Sequence, residues 1–259
     1  MSDQLTRSGQ YRSWMSYIRG FGRWLQVHGN PNAYVLSNRW KAPFVPAHPY
    51  LLARSQIEAF SAAAARLDAQ SPWRWQAGAF FMLMHSCGIR TGEARVLLSG
   101  HVDLHHGHLD IVSSKGNRSR RLPLTGQVVD VLTSCDQASR RRLASRRTFF
   151  ISSSGNPVTA ATVGVMFNRV WDQAGLPRPM GGTRPRPHDF RHHFAYANIE
   201  WWMTPGKDVT ALLPYLSRYM GHATLSSTYF YVHTSPDFMA AYANLTGNGG
   251  SVLPEVGFA

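Results

Sequence analysis

The sequence predicts a mainly α-helical chain with one small antiparallel β-sheet, an α+β fold. Apolar residues recur at helical spacing through most of the 259 residues. The period shifts to strand-like alternation only between His108 and Leu124. The longest apolar run, Ala77 to Met84, is far shorter than the ~20 residues of a bilayer span. With 44% hydrophobic residues, the chain can bury one sizeable core and carry a smaller appendage.

Taken in order, Tyr11 to Val27 places aromatic and aliphatic residues at helical spacing, although Gly20 and Gly22 weaken that helix. From His28 to Tyr50 four prolines and little periodicity predict an extended linker. Residues 1–48 therefore read as one short helix and a proline-rich strap, ahead of a main domain over 49–246. Ser55 to Leu67 reads as a helix with a serine cap, and Ser71 to Gly88 as another, with proline in the first turn and glycine after the end. Thr91 to Leu98 opens a third. His108–Ser114 and Ser119–Leu124 alternate as strands around the Gly-Asn turn of residues 115–118. Helices are expected over 126–143, 159–175, 188–203, 208–221 and 235–245, and residues 247–259 form a glycine-containing flexible tail.

Charge narrows the partner. The chain has 27 Lys plus Arg against 14 Asp plus Glu, a formal net charge of +13, which favours a polyanion. Because the arginines are scattered, with no polybasic tail or basic amphipathic helix, nucleic acid is favoured over a membrane surface. Cys87 and Cys135 are the only cysteines, too few for a disulfide framework or zinc cage, and point to a reducing compartment. The first ten residues lack the apolar stretch of a signal peptide, so a cytoplasmic protein is expected.

Several basic clusters could carry chemistry. In "HDFRHHF", His188 and Arg191 stand three apart and share a helix face suited to an anion. His188 and His192 have zinc-ligand spacing, but no suitably placed acid or third ligand accompanies them. In "CGIRTGEARVLL", Arg90 follows a helix end and Glu93 lies three residues on. In "SSKGNRSRRLPL", Lys115 stands at the hairpin tip, long enough to reach a neighbouring groove. "YMGHATLSSTYFYVH" adds His222, Tyr229 and Tyr231.

These clusters, in this order, resemble the tyrosine recombinase (phage integrase) family from about Pro49 to Leu245. "GIRTGE" is similar to the family's first arginine box, "SSKGNRSRRLPL" to its lysine hairpin, "HDFRHHFA" to its His-x-x-Arg box, and the last cluster to its histidine and tyrosine boxes. The run from Leu213 to Phe238 also looks like integrases encoded in tandem sets. The resemblance implies an integrase-like catalytic domain behind a truncated remnant of a core-binding domain. It implies a catalytic set of Arg90, Lys115, His188, Arg191, His222 and Tyr231, with Glu93 in support and Phe190 in place of the usual leucine. The activity implied is site-specific DNA recombination through a covalent 3′-phosphotyrosine, a strand transfer akin to type IB topoisomerase chemistry. It needs no cofactor, neither ATP nor metal. The partners are double-stranded DNA and a homo- or hetero-tetramer, with other recombinases among the expected companions. An accessory recombinase that holds DNA beside an active partner is the alternative.

The chemistry fits the residue types. Guanidinium forks stay charged and grip two non-bridging oxygens, which favours Arg90 and Arg191 over lysines. His188 is the expected base for the phenol, Lys115 the proton source for the leaving 5′ oxygen, and His222 a donor to a phosphate oxygen. On the family's spacing the nucleophile lies nine residues after the histidine, at Tyr231. Unbroken helix would put the two about 13 Å apart on opposite faces. A bend between them is therefore predicted, with the threonine and serines of "HATLSST" capping a new helix. Tyr229, about 200° round from Tyr231, is expected to be a packing residue.

Overall fold

The computed structural model describes residues 10–37, 49–68, 71, 73–114, 118–179, 183–203 and 207–234. The chain divides into two compact units, Met1–Ala47 and His48–Ala259. Within the first, α1 spans Gln10–Val27, and the chain turns back after it through Gly29. The return is close: a Cβ at Gly22 would lie 2.6 Å from the Tyr34 carbonyl oxygen. Arg19 Nε donates to the Leu36 carbonyl at 3.0 Å, and Gln26 Nε2 to that of Ala33 at 2.9 Å. Gly22 thus costs helix propensity but lets the following segment lie against α1.

In the second unit, α2 (Arg54–Ala65), α3 (Ala77–Cys87), α5 (Gly126–Arg140) and α6 (Ala160–Gln173) surround the main core. Helix α3 is apolar on nearly every face, the pattern of a central buried helix. The aromatic centre joins Phe60, Phe81, Phe167 and Trp171 to Phe190, whose ring lies 5.0 Å from that of Phe60. Phe190 belongs to α7 (Asp189–Trp202), so the start of α7 is pinned into this core. The rest of α7 packs with α8 (Val209–Met220) and α9 (Ser226–Thr234) around a second core of Ala195, Ile199, Leu213, Leu216, Met220 and Tyr231.

Between α4 (Thr91–Arg95) and α5, the strands β1 (Val102–Asp103), β2 (His108–Ser114) and β3 (Arg118–Pro123) form an antiparallel sheet in the order β1-β2-β3. Register pairs Leu109 with Leu122, Asp110 with Arg121 and Ile111 with Arg120. Leu109, Ile111 and Leu122 face the core, while Arg121 Nε meets Asp110 Oδ1 at 2.8 Å on the outer face. By the period of two, Arg120 points inward with Leu122.

Several expectations need correction. The helix anticipated from Ser71 begins at Ala77, because Gln76 is committed elsewhere: its carboxamide bonds both the N–H and the C=O of Ile151, at 3.1 and 2.6 Å. Ser55 is not the cap of α2. That place is taken by Ala53, whose N–H donates to Gln56 Oε1 at 3.0 Å. The helix expected to Leu98 stops at Arg95, since the Leu97 carbonyl accepts from Phe149 N–H and Ser99 N–H donates to Arg147. Helix α5 ends at Arg140 rather than Leu143, and β1 was not anticipated. Residues 38–48 of the Pro-rich strap, the tip residues 115–117 with Lys115, the helix expected over 235–245 and the tail over 247–259 lie outside the described residues. Among the described residues no helix is long and apolar enough to cross a membrane.

Gly88, which ends α3, has φ +57°, and a Cβ there would lie 2.4 Å from the ring of Phe194. Gly88→Ala should therefore destabilise the protein by about 1–2 kcal/mol or more, from left-handed backbone strain and the clash together. An unchanged urea midpoint would contradict this.

Candidate active site

The site begins where α3 ends. After Gly88 the chain runs straight to Arg90, the N-cap of α4. Arg90 N–H donates to Glu93 Oε2 and its Nη1 to Glu93 Oε1, each at 2.8 Å. The same carboxylate receives Arg120 from the sheet, through Nη1 at 3.1 Å and Nη2 at 2.7 Å. One buried acid thus aligns two guanidiniums and leaves the group with a net positive charge.

Among the described residues Arg191 is the most confined cation, only 1% exposed. Its Nη1 donates to the Gly88 carbonyl and its Nη2 to the Met220 carbonyl at 2.8 Å. Arg90 Nη2 donates to the carbonyl of Gly221, the very next residue. Adjacent carbonyls at the end of α8 therefore hold Arg90 and Arg191 side by side. Carbonyls at helix C-termini lack intrahelical partners and carry the negative end of the dipole, so they suit buried cations. Burial pushes the Arg191 guanidinium down to about 10, which leaves it charged at neutral pH. Gly221 has φ +68°, and a Cβ there would stand 2.8 Å from Arg120 Nη1.

Tyr231 closes the site from α9 and is 3% exposed. The predicted break is present: α8 ends at Met220, α9 starts at Ser226, and Thr224 Oγ1 lies 2.8 Å from Ser226 Oγ between them. The bend stacks the His222 and Tyr231 rings at 6.0 Å. His222 Nδ1 lies 2.8 Å from Thr228 Oγ1. The Tyr231 hydroxyl lies 3.2 Å from His192 Nδ1, and the edge of Tyr196 meets the Tyr231 ring at 5.4 Å. Burial raises the phenol's pKa, opposed by the charge of Arg191.

His188, just ahead of α7, lines a cleft of about 800 Å³ together with Arg90, His101 and Arg147. Burial first, then nearby arginines, lowers His188 to about 4 and His222 to about 3. His192 is lowered to about 3 by burial and then by His188, Arg186 and Arg191. Asp189, fully buried behind His188, accepts from Arg186 N–H at 2.6 Å and secures the entry to α7.

The structure thus brings together Arg90, His188, Arg191, His222 and Tyr231, with Glu93 behind them. Lys115 lies outside the described residues. Tyr229 is partly buried against the second core. Sequence reasoning missed Arg120 and weighed His192 only as a zinc ligand. An arginine on the same strand face as Leu122 was the available signal for the first, while nothing in the spacing marked the second.

Solved structures share this architecture. The XerA recombinase crystal structure aligns over 90% of this chain and 75% of its own, with a TM-score of 0.59 and 19% identity. The post-cleavage complex of XerH with palindromic difH aligns over 89% and 63%, with a TM-score of 0.62 and 19% identity. The fold is that of an integrase catalytic domain. Residues 51–237 match the phage integrase family, and the chain belongs to it. It is 34% identical to the Sinorhizobium fredii (strain NBRC 101917 / NGR234) protein y4rE, named for an integrase/recombinase, over 75% of this chain and 63% of that one. It is 27% identical to the tyrosine recombinase XerD of Ralstonia nicotianae (strain ATCC BAA-1114 / GMI1000), over 73% and 58%. The chain thus spans about three-fifths of the length of these two relatives.

Two outcomes follow from the geometry. Glu93→Ala, which strands two guanidiniums, should lower stability by about 3 kcal/mol in a denaturant titration. His188, His192 and His222 stay neutral in the folded state down to about pH 3–4, whereas the unfolded chain takes up protons below about 6.5. Stability should therefore be full above pH 7 and fall as pH drops from 6.5 towards 4, with proton uptake on unfolding. A flat urea-unfolding free energy across that window would refute it.

Proposed function

We propose that this chain is the catalytic part of a site-specific DNA recombinase that cuts and rejoins double-stranded DNA through a covalent 3′-phosphotyrosine at Tyr231, in the cytoplasm. The observation that carries this is the placement of Arg90 and Arg191 on adjacent carbonyls, with the buried Tyr231 phenol close enough for the Arg191 charge to act on it. A scissile phosphate entering here meets two guanidiniums whose charge stabilises the developing phosphorane. His222, steadied by Thr228, donates to a non-bridging oxygen, and His188, just ahead of α7, lines a cleft together with Arg90. Lys115 supplies the proton to the departing 5′ oxygen. Tyr231 stays linked to the 3′ phosphate until the 5′-hydroxyl of another strand attacks, so bond energy is kept without ATP. The net charge of +13 suits the polyanion. In this reading residues 49–246 form the catalytic domain, and four such domains, of this chain or of companion recombinases, assemble on two duplexes. The XerH structure, described as a post-cleavage complex on its difH substrate, supports DNA as the partner.

On a nicked suicide duplex, Tyr231→Phe should abolish covalent attachment and leave binding intact, whereas Tyr229→Phe should still attach. Equal loss in both would refute the assignment of the nucleophile. Binding without attachment by the unaltered chain would favour an accessory role. Affinity should fall with salt at a log–log slope near −0.9 per phosphate contacted; a flat response would remove DNA as the partner.

A further inference from the structure

The recombinase reading requires Tyr231 to lose its proton as it attacks, and family resemblance had suggested His188 for the task. We propose instead that His192 accepts the proton of Tyr231 through Nδ1, which makes it a catalytic residue of the cleavage step. The assignment rests on the recombinase reading and on hydrogen-bond accounting around one oxygen. The Tyr231 hydroxyl lies 3.2 Å from His192 Nδ1, with the Arg191 guanidinium as the charged group that acts on it most strongly. A guanidinium has donors only, so the phenol's own hydrogen cannot be directed there. With the ring hydrogen on Nε2, His192 Nδ1 is the acceptor at hydrogen-bond distance to which the phenol's hydrogen can be directed. Among the described residues, His192 is the imidazole whose nitrogen meets this oxygen.

The surroundings hold that arrangement. His192 follows Arg191 in the same turn of α7, so the helix that sets the phosphate-gripping cation also sets the base. The His188 ring meets the His192 ring nearly perpendicularly at 4.9 Å, and the Tyr231 ring lies 5.5 Å from it. The charged and titratable neighbours are Arg191 and His188 on and ahead of α7, Arg186 before them, His222 after α8 and Tyr231 on α9. Burial first, and then these neighbours, keep His192 neutral, the state that can take a proton. A phosphodiester brings a negative charge among the same arginines and raises the proton affinity of the ring when the phenol must be deprotonated.

In the forward step a lone pair on Oη forms the bond to phosphorus while the Oη–H proton passes to Nδ1. The P–O5′ bond breaks, its electron pair stays on O5′, and that oxygen takes a proton from Lys115. In the return step the 5′-hydroxyl gives its proton to Lys115 as it attacks phosphorus, the P–Oη bond breaks, and the imidazolium restores its proton to Oη.

The test is single-turnover covalent attachment by His192→Asn, which retains an oxygen near the Nδ1 position but cannot hold the proton. Attachment should slow by about 10²-fold, within the range of a general base, with melting temperature and DNA affinity unchanged. A 5′-bridging phosphorothiolate, whose sulfur leaves without protonation, should not restore the rate, although it should rescue Lys115→Ala. Fluorinated tyrosine at position 231, a more acidic phenol, should speed His192→Asn by about tenfold more than it speeds the unaltered protein. If His192→Asn lowers the melting temperature, His192→Gln carries the same comparison. A rate within about threefold of the unaltered protein, rescue by sulfur, or equal gains from the acidic phenol would overturn the inference. Absence of attachment by the unaltered protein would instead overturn the recombinase reading on which it rests.

Discussion

The second unit is organised around one buried positive charge. Taking a guanidinium out of water costs several kcal/mol unless polar groups replace the water. Arg191 has the Gly88 and Met220 carbonyls, each at the end of a helix. Those partners sit at the ends of α3 and α8, so satisfying one side chain requires two helix ends to meet. Two glycines with left-handed backbones make the meeting possible, because a Cβ at either Gly88 or Gly221 would strike a neighbouring side chain.

The same constraint explains the electrostatics. Arg90, Arg120 and Arg191 share a region where Glu93 is the balancing acid, so the local field is positive and partly shielded from water. Burial first, and then this field, holds His188, His192 and His222 neutral, and the field opposes the burial effect that raises the Tyr231 phenol. The pocket is thus arranged before any anion arrives. Preorganised charge of this kind avoids reorganisation when negative charge develops on a substrate.

Much of the fold was legible because helix periodicity is local, and the hairpin showed itself by the change of period. The misses have local causes too. Helix α3 starts late because the Gln76 side chain is engaged with Ile151, 75 residues away, and α4 stops early because Leu97 and Ser99 bond the segment at 147–149. Phe190 looked like a simple change of packing residue. In the folded chain it ties α7 to Phe60 and Phe81 and so sets the position of Arg191, its neighbour.

By itself the sequence determined the residue types, the order of the boxes, the cationic character and the need for a bend between His222 and Tyr231, since these follow from spacing and charge along one chain. Only the tertiary structure decided that Arg90 and Arg191 sit on adjacent carbonyls, that Arg120 turns inward to Glu93, and that His192 rather than His188 reaches the phenol. Those are contacts between helix ends and strands far apart in the chain, and their geometry depends on how two cores pack against α7, which no local pattern encodes.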